Sequence, residues 1–410
     1  MHGHLNLEAK VTALRVFYRR ERRLPGYNEM LEIFGYHSKN AVYKLLLRMV
    51  EAGYLIKRGH KIAAAPRLDD EQLLDVKQTN MNLLGIDIGG TKSAVCLGNE
   101  RGEILVTKRM SAVPGEDPRV YSQRLGKLIC EVLDRMGLKA SMLDAVGISA
   151  PGPLSVSRGL LLAPPNNPGW CDVPIVQMVS EAVQAPVFMN NDANACALAE
   201  MYFGDHGGAR NLIYLTFSTG MGAGIITNGR LVQGVNDCGG EVGHMVLDLQ
   251  GPLCGCGHYG CWEAYVGGRN LAERLKARIR TGGLKTAILD QVGGDVDRVD
   301  IKALVAAVKL GDPLAVEEWE TLMERLAQGI GALIQVINPE LVILGTIAIH
   351  ERELVMPALQ AKLPKYAWSW PLEACRIVTS SLEERIGDLS ALAVAVTGLR
   401  ETGNGAARRA

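Results

Sequence analysis

Three cysteines and two histidines crowd one stretch of this 410-residue chain, where Gly240-Glu241-Val242-Gly243-His244 is followed by Cys254-Gly255-Cys256-Gly257-His258-Tyr259-Gly260-Cys261-Trp262-Glu263. One imidazole and three thiolates make a closed tetrahedral site for Zn2+, with bonds of about 2.0 to 2.3 Å, and the glycines let the loop wrap tightly. Four filled positions imply a structural ion. His258 could take the nitrogen position in place of His244, and unliganded buried thiols are the alternative. The other cysteines are scattered singly, so a reduced compartment and a metal suit the cluster better than disulfides. A knot of this kind would fix Glu241 and Glu263 nearby, where the paired hydroxyls of a sugar are natural partners for carboxylates.

Two glycine turns, each entered from an apolar strand, could cradle phosphate. In the first, Leu83-Leu84-Gly85-Ile86-Asp87-Ile88 runs into Gly89-Gly90-Thr91-Lys92 and a second strand through Ala94, Val95, Cys96 and Leu97. Adjacent glycines let backbone N–H groups approach phosphate oxygens, Thr91 adds a hydroxyl, and Asp87 can hold the shell of Mg2+. A tight hairpin would explain the glycines but not the acid, the hydroxyl and the lysine together. The second turn, Thr219-Gly220-Met221-Gly222-Ala223-Gly224, follows the apolar run from Leu212 to Phe217. A Rossmann unit or a P-loop opens from one such turn onto a helix, so a pair of strand-turn-strand loops suggests a nucleotide held between two lobes. Plain turn chemistry stays open for either loop. Between them, Pro186-Val187-Phe188-Met189 ends on Asn190-Asn191-Asp192 before an alanine-rich helix. Asp192 could be that helix's N-cap. At a strand end facing a cleft it could also take the proton of a sugar hydroxyl, and phosphoryl transfer needs little more than such a base, a metal and amide-lined loops.

These residues need a frame. From Leu83 onward strand and helix signals alternate, the pattern of an α/β body. Residues 69–82 are polar and without sustained periodicity and read as a linker. Ahead of it, residues 1–68 carry 13 Lys and Arg against 5 Asp and Glu, whereas residues 69–410 carry 31 against 39, so a basic head joins an acidic body in a chain of zero net charge. Such segregation favours a phosphate-rich partner for the head. There, Leu7, Val11, Leu14 and Phe17 share one face of a first helix that ends in Arg19, Arg20, Arg22 and Arg23 before Pro25. Asn28 is expected to cap a second helix running to Gly35, and Ser38 a third. The third has Val42, Leu45, Leu46, Met49 and Val50 at amphipathic spacing. Its opposite face offers Lys39, Asn40, Tyr43, Lys44 and Arg48 to a major groove, interrupted by Leu47. Tyr54-Leu55-Ile56-Lys57-Arg58-Gly59-His60-Lys61-Ile62 then suits a two-stranded wing. A helical packing domain with a solvated charged face is the plainer reading.

Length and composition narrow the classes. A chain of 410 residues exceeds a single small binding module, and 48% hydrophobic with 21% charged residues is a soluble globular composition. No apolar stretch reaches the roughly 18 to 20 residues needed to cross a bilayer, and the first residues lack a charged start followed by an apolar run. The expected location is the cytoplasm, with no membrane partner.

Three head segments, Leu24-Pro25-Gly26-Tyr27, Gly35-Tyr36-His37-Ser38-Lys39-Asn40-Ala41-Val42 and Glu51-Ala52-Gly53-Tyr54-Leu55, resemble the DNA-binding domain of the LexA repressor. That resemblance implies operator DNA as a partner of residues 1–68, with Ser38, Asn40, Ala41, Tyr43 and Lys44 at the groove-reading positions and Lys39 beside them. The repressor's self-cleaving domain has no counterpart here. Residues 83 to about 400 resemble the ROK family of sugar kinases and sugar-responsive repressors, whose motifs occur in this order. The resemblance implies an actin-like, ribonuclease H-like, two-lobed ATPase fold behind an N-terminal winged helix-turn-helix domain. Residues 83–190 with 385–402 would form the small lobe and residues 191–384 the large one. By position, Asp87, Gly89, Gly90, Thr91 and Lys92 match the first phosphate loop, and Thr219, Gly220 and Gly222 the second. By the same resemblance, Gly345 would lie near the adenosine pocket. Asn191 and Asp192 match a sugar-binding amide and the catalytic base, Glu241, His244 and Glu263 match sugar contacts, and His244, Cys254, Cys256 and Cys261 match zinc ligands. Pro151 and Gly152, together with Asn167 in Asn166-Asn167-Pro168-Gly169-Trp170, match sugar-side loops of hexose-specific members. Ser218 and Thr346 stand where glycines are usual.

The expectation is therefore a kinase that uses Mg2+ and ATP to phosphorylate a hexose or amino-hexose, usually at O6, with a structural Zn2+ and a DNA-reading head. A sugar-sensing repressor without significant kinase activity is the alternative. A palindromic operator and the family's habit both favour a homodimer or homotetramer.

Overall fold

The computed structural model describes residues 10–11, 13–14, 17–18, 23–36, 38–51, 54–58, 61–64, 81–164 and 167–407. Most of the expected linker, with Leu7, Arg19, Arg20, Arg22 and Asn166, lies outside these. The chain divides into two compact units, Met1–Asn190 with Gly387–Ala410, and Asn191–Ile386. Among the described residues no helix is long and apolar enough to cross a membrane.

In the head, helical residues that include Val11 and Leu14 precede α1 (Tyr27–Phe34), α2 (Lys39–Glu51) and an antiparallel hairpin of β1 (Leu55–Arg58) and β2 (Lys61–Ala64). Val11, Leu14, Met30, Phe34, Val42, Leu45, Leu46, Met49, Tyr54 and Leu55 close one small core. The cap of α1 is Gly26 rather than Asn28. Glu29 reaches back to the Gly26 N–H at 2.7 Å while pairing with Arg23 at 2.8 Å, and these contacts hold its carboxyl at about 2. Gly35 ends the helix in the left-handed region, and the Ser38 hydroxyl accepts from the Ala41 N–H at 3.2 Å.

The rest of the first unit is built on a five-stranded sheet of order β5-β4-β3-β6-β7: β3 (Leu83–Ile88), β4 (Lys92–Gly98), β5 (Ile104–Ser111), β6 (Ala145–Ala150) and β7 (Val187–Asn191). One core gathers the apolar side chains of this sheet with those of α3 (Pro118–Met136), which starts on an Asp117 cap with proline in its first turn and stops at left-handed Gly137. The C-terminal helix spans Ile386–Ala407. It lies against glycines: Gly85 and Gly147 are register partners on β3 and β6, and a Cβ on Gly147 would overlap the Ala391 carbonyl and stand 2.5 Å from the Ala395 nitrogen. Backbone-to-backbone approach of this kind excludes any side chain.

The second unit begins with α4 (Asp192–Phe203) and holds a five-stranded sheet of order β10-β9-β8-β11-β12. Its strands are β8 (Leu212–Phe217), β9 (Met221–Thr227), β10 (Arg230–Leu231), β11 (Leu341–Leu344) and β12 (Arg376–Thr379). The helices α5 (Trp262–Val266), α6 (Gly268–Gly282) and α7 (Pro313–Ile337) contribute to its core, where Leu271, Leu275, Leu322, Leu326 and Ile330 are sealed from water. At the far end of α4, buried Glu200 is held by His206 at 2.6 Å, by Ser381 at 3.1 Å and by Ser380.

Two glycine substitutions should separate packing from propensity. Gly147→Ala should destabilise the protein by about 1 to 3 kcal/mol. Gly126→Ala, in mid-α3 with open space around the added methyl, should stabilise it by about 0.4 to 1 kcal/mol. Denaturant midpoints measured on the full chain check both signs.

Candidate functional site

Asp192 opens α4, and the N-cap is its neighbour: the Asn191 side chain accepts from the Ala193 N–H at 3.0 Å. An Asp192 oxygen accepts from the same N–H at 2.7 Å. The helix approaches the β8–β9 hairpin closely because a Cβ on Gly222 would meet Ala193 Cβ at 3.1 Å, and one on Gly224 would meet Ala193 O and Ala197 Cβ at 2.5 Å. Gly222 and Gly224 thus lie in a strand, and the turn itself is Ser218–Gly220, closed by the Ser218 N–H donating to Gly220 O at 3.0 Å. Asp192 keeps an exposed edge. The protein packed about it still raises its carboxyl above the ordinary range, the Ala193 N–H opposes that, and the charge of Glu241 adds to the rise.

The structure brings His244, Cys254, Cys256 and Cys261 together, with all four donor atoms within 4.8 Å of one another. Cys254 Sγ lies 3.9 Å from His244 Nδ1, and Cys256 Sγ lies 3.6 Å from Cys261 Sγ. Bonds of 2.0 to 2.3 Å at tetrahedral angles separate ligands by about 3.3 to 3.8 Å, so the set fits Zn2+. His258 reaches Cys256 at 3.6 Å but falls outside the foursome. The knot depends on Gly260, left-handed at φ +73, where any Cβ would overlap the Asp248 carbonyl. Asp248 is fastened by Tyr265 at 3.0 Å and Arg325 at 2.8 Å. Glu263, expected as a sugar contact, has its Oε2 accepting from the Met221 N–H at 2.8 Å and its Oε1 3.9 Å from Cys254 Sγ. It ties the knot to the residue after the glycine turn.

Beside that turn a cavity of about 590 Å³ is lined by Ser218, Thr219, Gly268, Arg269, Thr346 and His350, among others. The first N–H groups of α6 are taken by the turn: Gly268 donates to Ser218 O at 2.7 Å and Arg269 to Thr219 O at 3.0 Å. Gly345 is required by its own strand pair, because a Cβ there would overlap the hydroxyl of buried Tyr214. Thr346 has φ 48 and ψ −111, a conformation that suits glycine and costs other residues about 1 to 3 kcal/mol. Its hydroxyl donates to Phe217 O at 2.9 Å and accepts from the Phe217 N–H at 3.2 Å.

In the first unit, Gly89-Gly90-Thr91 joins β3 to β4, with the Gly89 N–H donating to Lys92 O at 3.0 Å and exposed side chains on Thr91 and Lys92. Asp87 Oδ1 accepts from the Ser149 hydroxyl at 3.1 Å, and a Cβ on Gly387 would lie 3.0 Å from Asp87 Oδ2. Pro151 is buried and Gly152 half-buried, just after β6. Asn167 Oδ1 is sealed from solvent and has no hydrogen-bond partner among the described residues. In the head, Ser38, Lys39, Asn40, Tyr43 and Lys44 are exposed and Ala41 half-buried; Lys57 of the hairpin donates to the Tyr43 hydroxyl at 3.3 Å.

The sequence model of the ROK family matches residues 83–397. The chain belongs to the ROK family. It is 32% identical over 318 residues to a glucokinase of Thermotoga maritima, covering 77% of this chain and 97% of that protein. It is 28% identical over 364 residues to a xylose repressor of Caldicellulosiruptor bescii, covering 88% of this chain and 89% of the repressor. Among solved structures, a ROK family glucokinase from Streptomyces griseus, crystallised with glucose and AMPPNP, is 31% identical with a TM-score of 0.63, covering 77% of this chain and 100% of that one. ROK relatives therefore include both kinases and repressors, and the body has the family's actin-like ATPase fold.

Several positions in this ROK protein carried no sequence signal of their own. Ser149 reaches Asp87 because β6 pairs with β3 in the register Asp87↔Ser149, and Met221 and Phe217 act through backbone groups alone. The cysteine knot makes a direct prediction. The purified protein should carry about one equivalent of zinc, and Cys261→Ser should lose it and melt earlier. Elemental analysis with a thermal melt measures both.

Proposed function

We propose that this ROK protein is an ATP-dependent hexose kinase joined to a DNA-binding head. Asp192 carries the reading: a partly exposed carboxylate with a raised pKa, on a helix that packs through Gly222 and Gly224 onto the hairpin bearing the Ser218–Gly220 turn. The Asp192 carboxylate takes the proton of a hexose hydroxyl, O6 of glucose or N-acetylglucosamine. The sugar oxygen then bonds to the γ-phosphorus as the bond to the β-phosphate oxygen breaks, and ADP leaves. Asn191, Glu241, His244 and Glu263 hold the sugar, together with Pro151, Gly152 and Asn167, whose orphan acceptor a sugar hydroxyl would satisfy. The His244 Nδ1 faces Cys254, which leaves Nε2 for a hydroxyl. Asp87, Gly89, Gly90, Thr91 and Lys92 serve the phosphates and Mg2+, and Thr219, Gly220 and Gly345 the remainder of ATP. Zn2+ on His244, Cys254, Cys256 and Cys261 is structural. The likenesses to the Thermotoga maritima and Streptomyces griseus glucokinases support this reading.

The test is a hexose panel with Mg-ATP, and the absence of sugar-dependent ADP release on every member overturns the kinase. Asp192→Asn should lower kcat by about 10² to 10⁴ while leaving sugar binding unchanged in calorimetry. A base must be ionised to work. Because surrounding protein and Glu241 raise Asp192, kcat/KM should fall, as pH drops, at a higher pH than an ordinary carboxylate would give. Glu241→Gln should move that limb to lower pH.

A second reading, a sugar-sensing repressor that binds operator DNA as a homodimer or homotetramer, is favoured by the exposed Lys39, Asn40, Tyr43, Lys44 and Arg48 on α2. The likeness to the xylose repressor extends over 88% of the chain. Band shifts with the gene's own upstream DNA, with and without sugars, test it. Lys44→Ala should weaken binding and flatten its salt dependence, and DNA binding indifferent to every sugar counts against sensing.

A further inference from the structure

The parallel ladder of β8 and β11 runs from Leu212↔Leu341 to Leu215↔Leu344, and the Gly345 N–H adds one more bond to Leu215 O at 2.8 Å. Strand groups alternate sides, so the N–H and C=O of Phe217, two residues beyond Leu215, face the same edge. No strand remains there to receive them, because the chain leaves β11 at Gly345 and enters the short helix Ile347–His350. The Thr346 hydroxyl takes both, accepting from the Phe217 N–H and donating to the Phe217 C=O. Phe217 directly precedes the Ser218–Gly220 turn, and Thr346 lines the cavity beside it with Ser218, Thr219 and Arg269.

A glycine would adopt φ 48 without strain and would leave both Phe217 groups without this partner. The side chain is therefore retained at a conformational cost, and its effect is to close a backbone edge that a ligand could otherwise use. We propose that Thr346 sets the nucleotide affinity of this cavity, weakening it by occupying the edge N–H and C=O of Phe217. The inference rests on the proposal that Thr219, which lines the cavity, serves ATP together with Gly220 and Gly345, and deepens it by naming a residue that tunes the fit.

Calorimetric titration of the full chain with ADP, in wild type, Thr346→Gly and Thr346→Ser, tests this without requiring turnover. Thr346→Gly should bind ADP about tenfold more tightly, the scale of freeing two neutral hydrogen-bonding groups. Thr346→Ser keeps the hydroxyl and should stay within about twofold of wild type. The glucose affinity of Thr346→Gly, where glucose binds, should not move. Equal ADP affinity in wild type and Thr346→Gly, weaker binding by the glycine variant, or a parallel shift in glucose affinity would each overturn the proposal. The expected ADP order without any sugar-dependent kinase activity would uphold it while removing the kinase reading. Failure of both wild type and Thr346→Gly to bind ADP would remove this inference together with the nucleotide part of that reading.

Discussion

The second unit is organised by one close approach, that of α4 to the β8–β9 hairpin. Helix and strand normally stand apart by the depth of their side chains, but here Gly222 and Gly224 offer none, and Ala193 and Ala197 offer only methyl groups. The helix start is thereby held against the strand that leaves the glycine turn. Asp192 is a fixed group on a rigid element rather than a side chain on a loop, which suits a base whose work is a matter of placement. Glu200, buried and multiply bonded at the other end of the helix, keeps α4 from sliding.

The cysteine knot acts on the same hairpin. Glu263 follows Cys261 by two residues, and its carboxylate joins the Cys254 sulfur to the Met221 N–H. Whatever fixes the four clustered side chains therefore also fixes the first residue of β9. Glu263, proposed to hold the sugar, also serves the scaffold through these bonds, whereas exposed Glu241 acts on Asp192 through charge.

What could be read from the sequence was local. The knot's ligands lie within eighteen consecutive residues, and the two hairpins announce themselves by glycine between apolar runs, so both were visible without tertiary information. The pattern points to Asn28 as the cap of α1 because a glycine has no capping side chain, whereas the cap is Gly26, whose N–H is held by Glu29 three residues on, bonded in turn to Arg23. Gly222 and Gly345 match the second phosphate loop and the adenosine pocket by resemblance, but their packing partners, Ala193 and the Tyr214 hydroxyl, are supplied only by tertiary structure. Thr346 was flagged by residue type alone. Its left-handed backbone and its hold on Phe217 depend on where two strands 129 residues apart stop pairing, and no local pattern encodes that.

The order of the chain also dictates the order in which it can fold during synthesis. The glycine groove of Gly85 and Gly147 is filled by Ala391 and Ala395 of the C-terminal helix, but about 200 residues of the second unit, Asn191–Ile386, are made in between. At ribosomal rates of about 5 to 20 residues per second, the first sheet waits roughly 10 to 40 s for its cover. A nascent chain stalled before Gly387 would therefore display an apolar, glycine-smooth sheet face to chaperones.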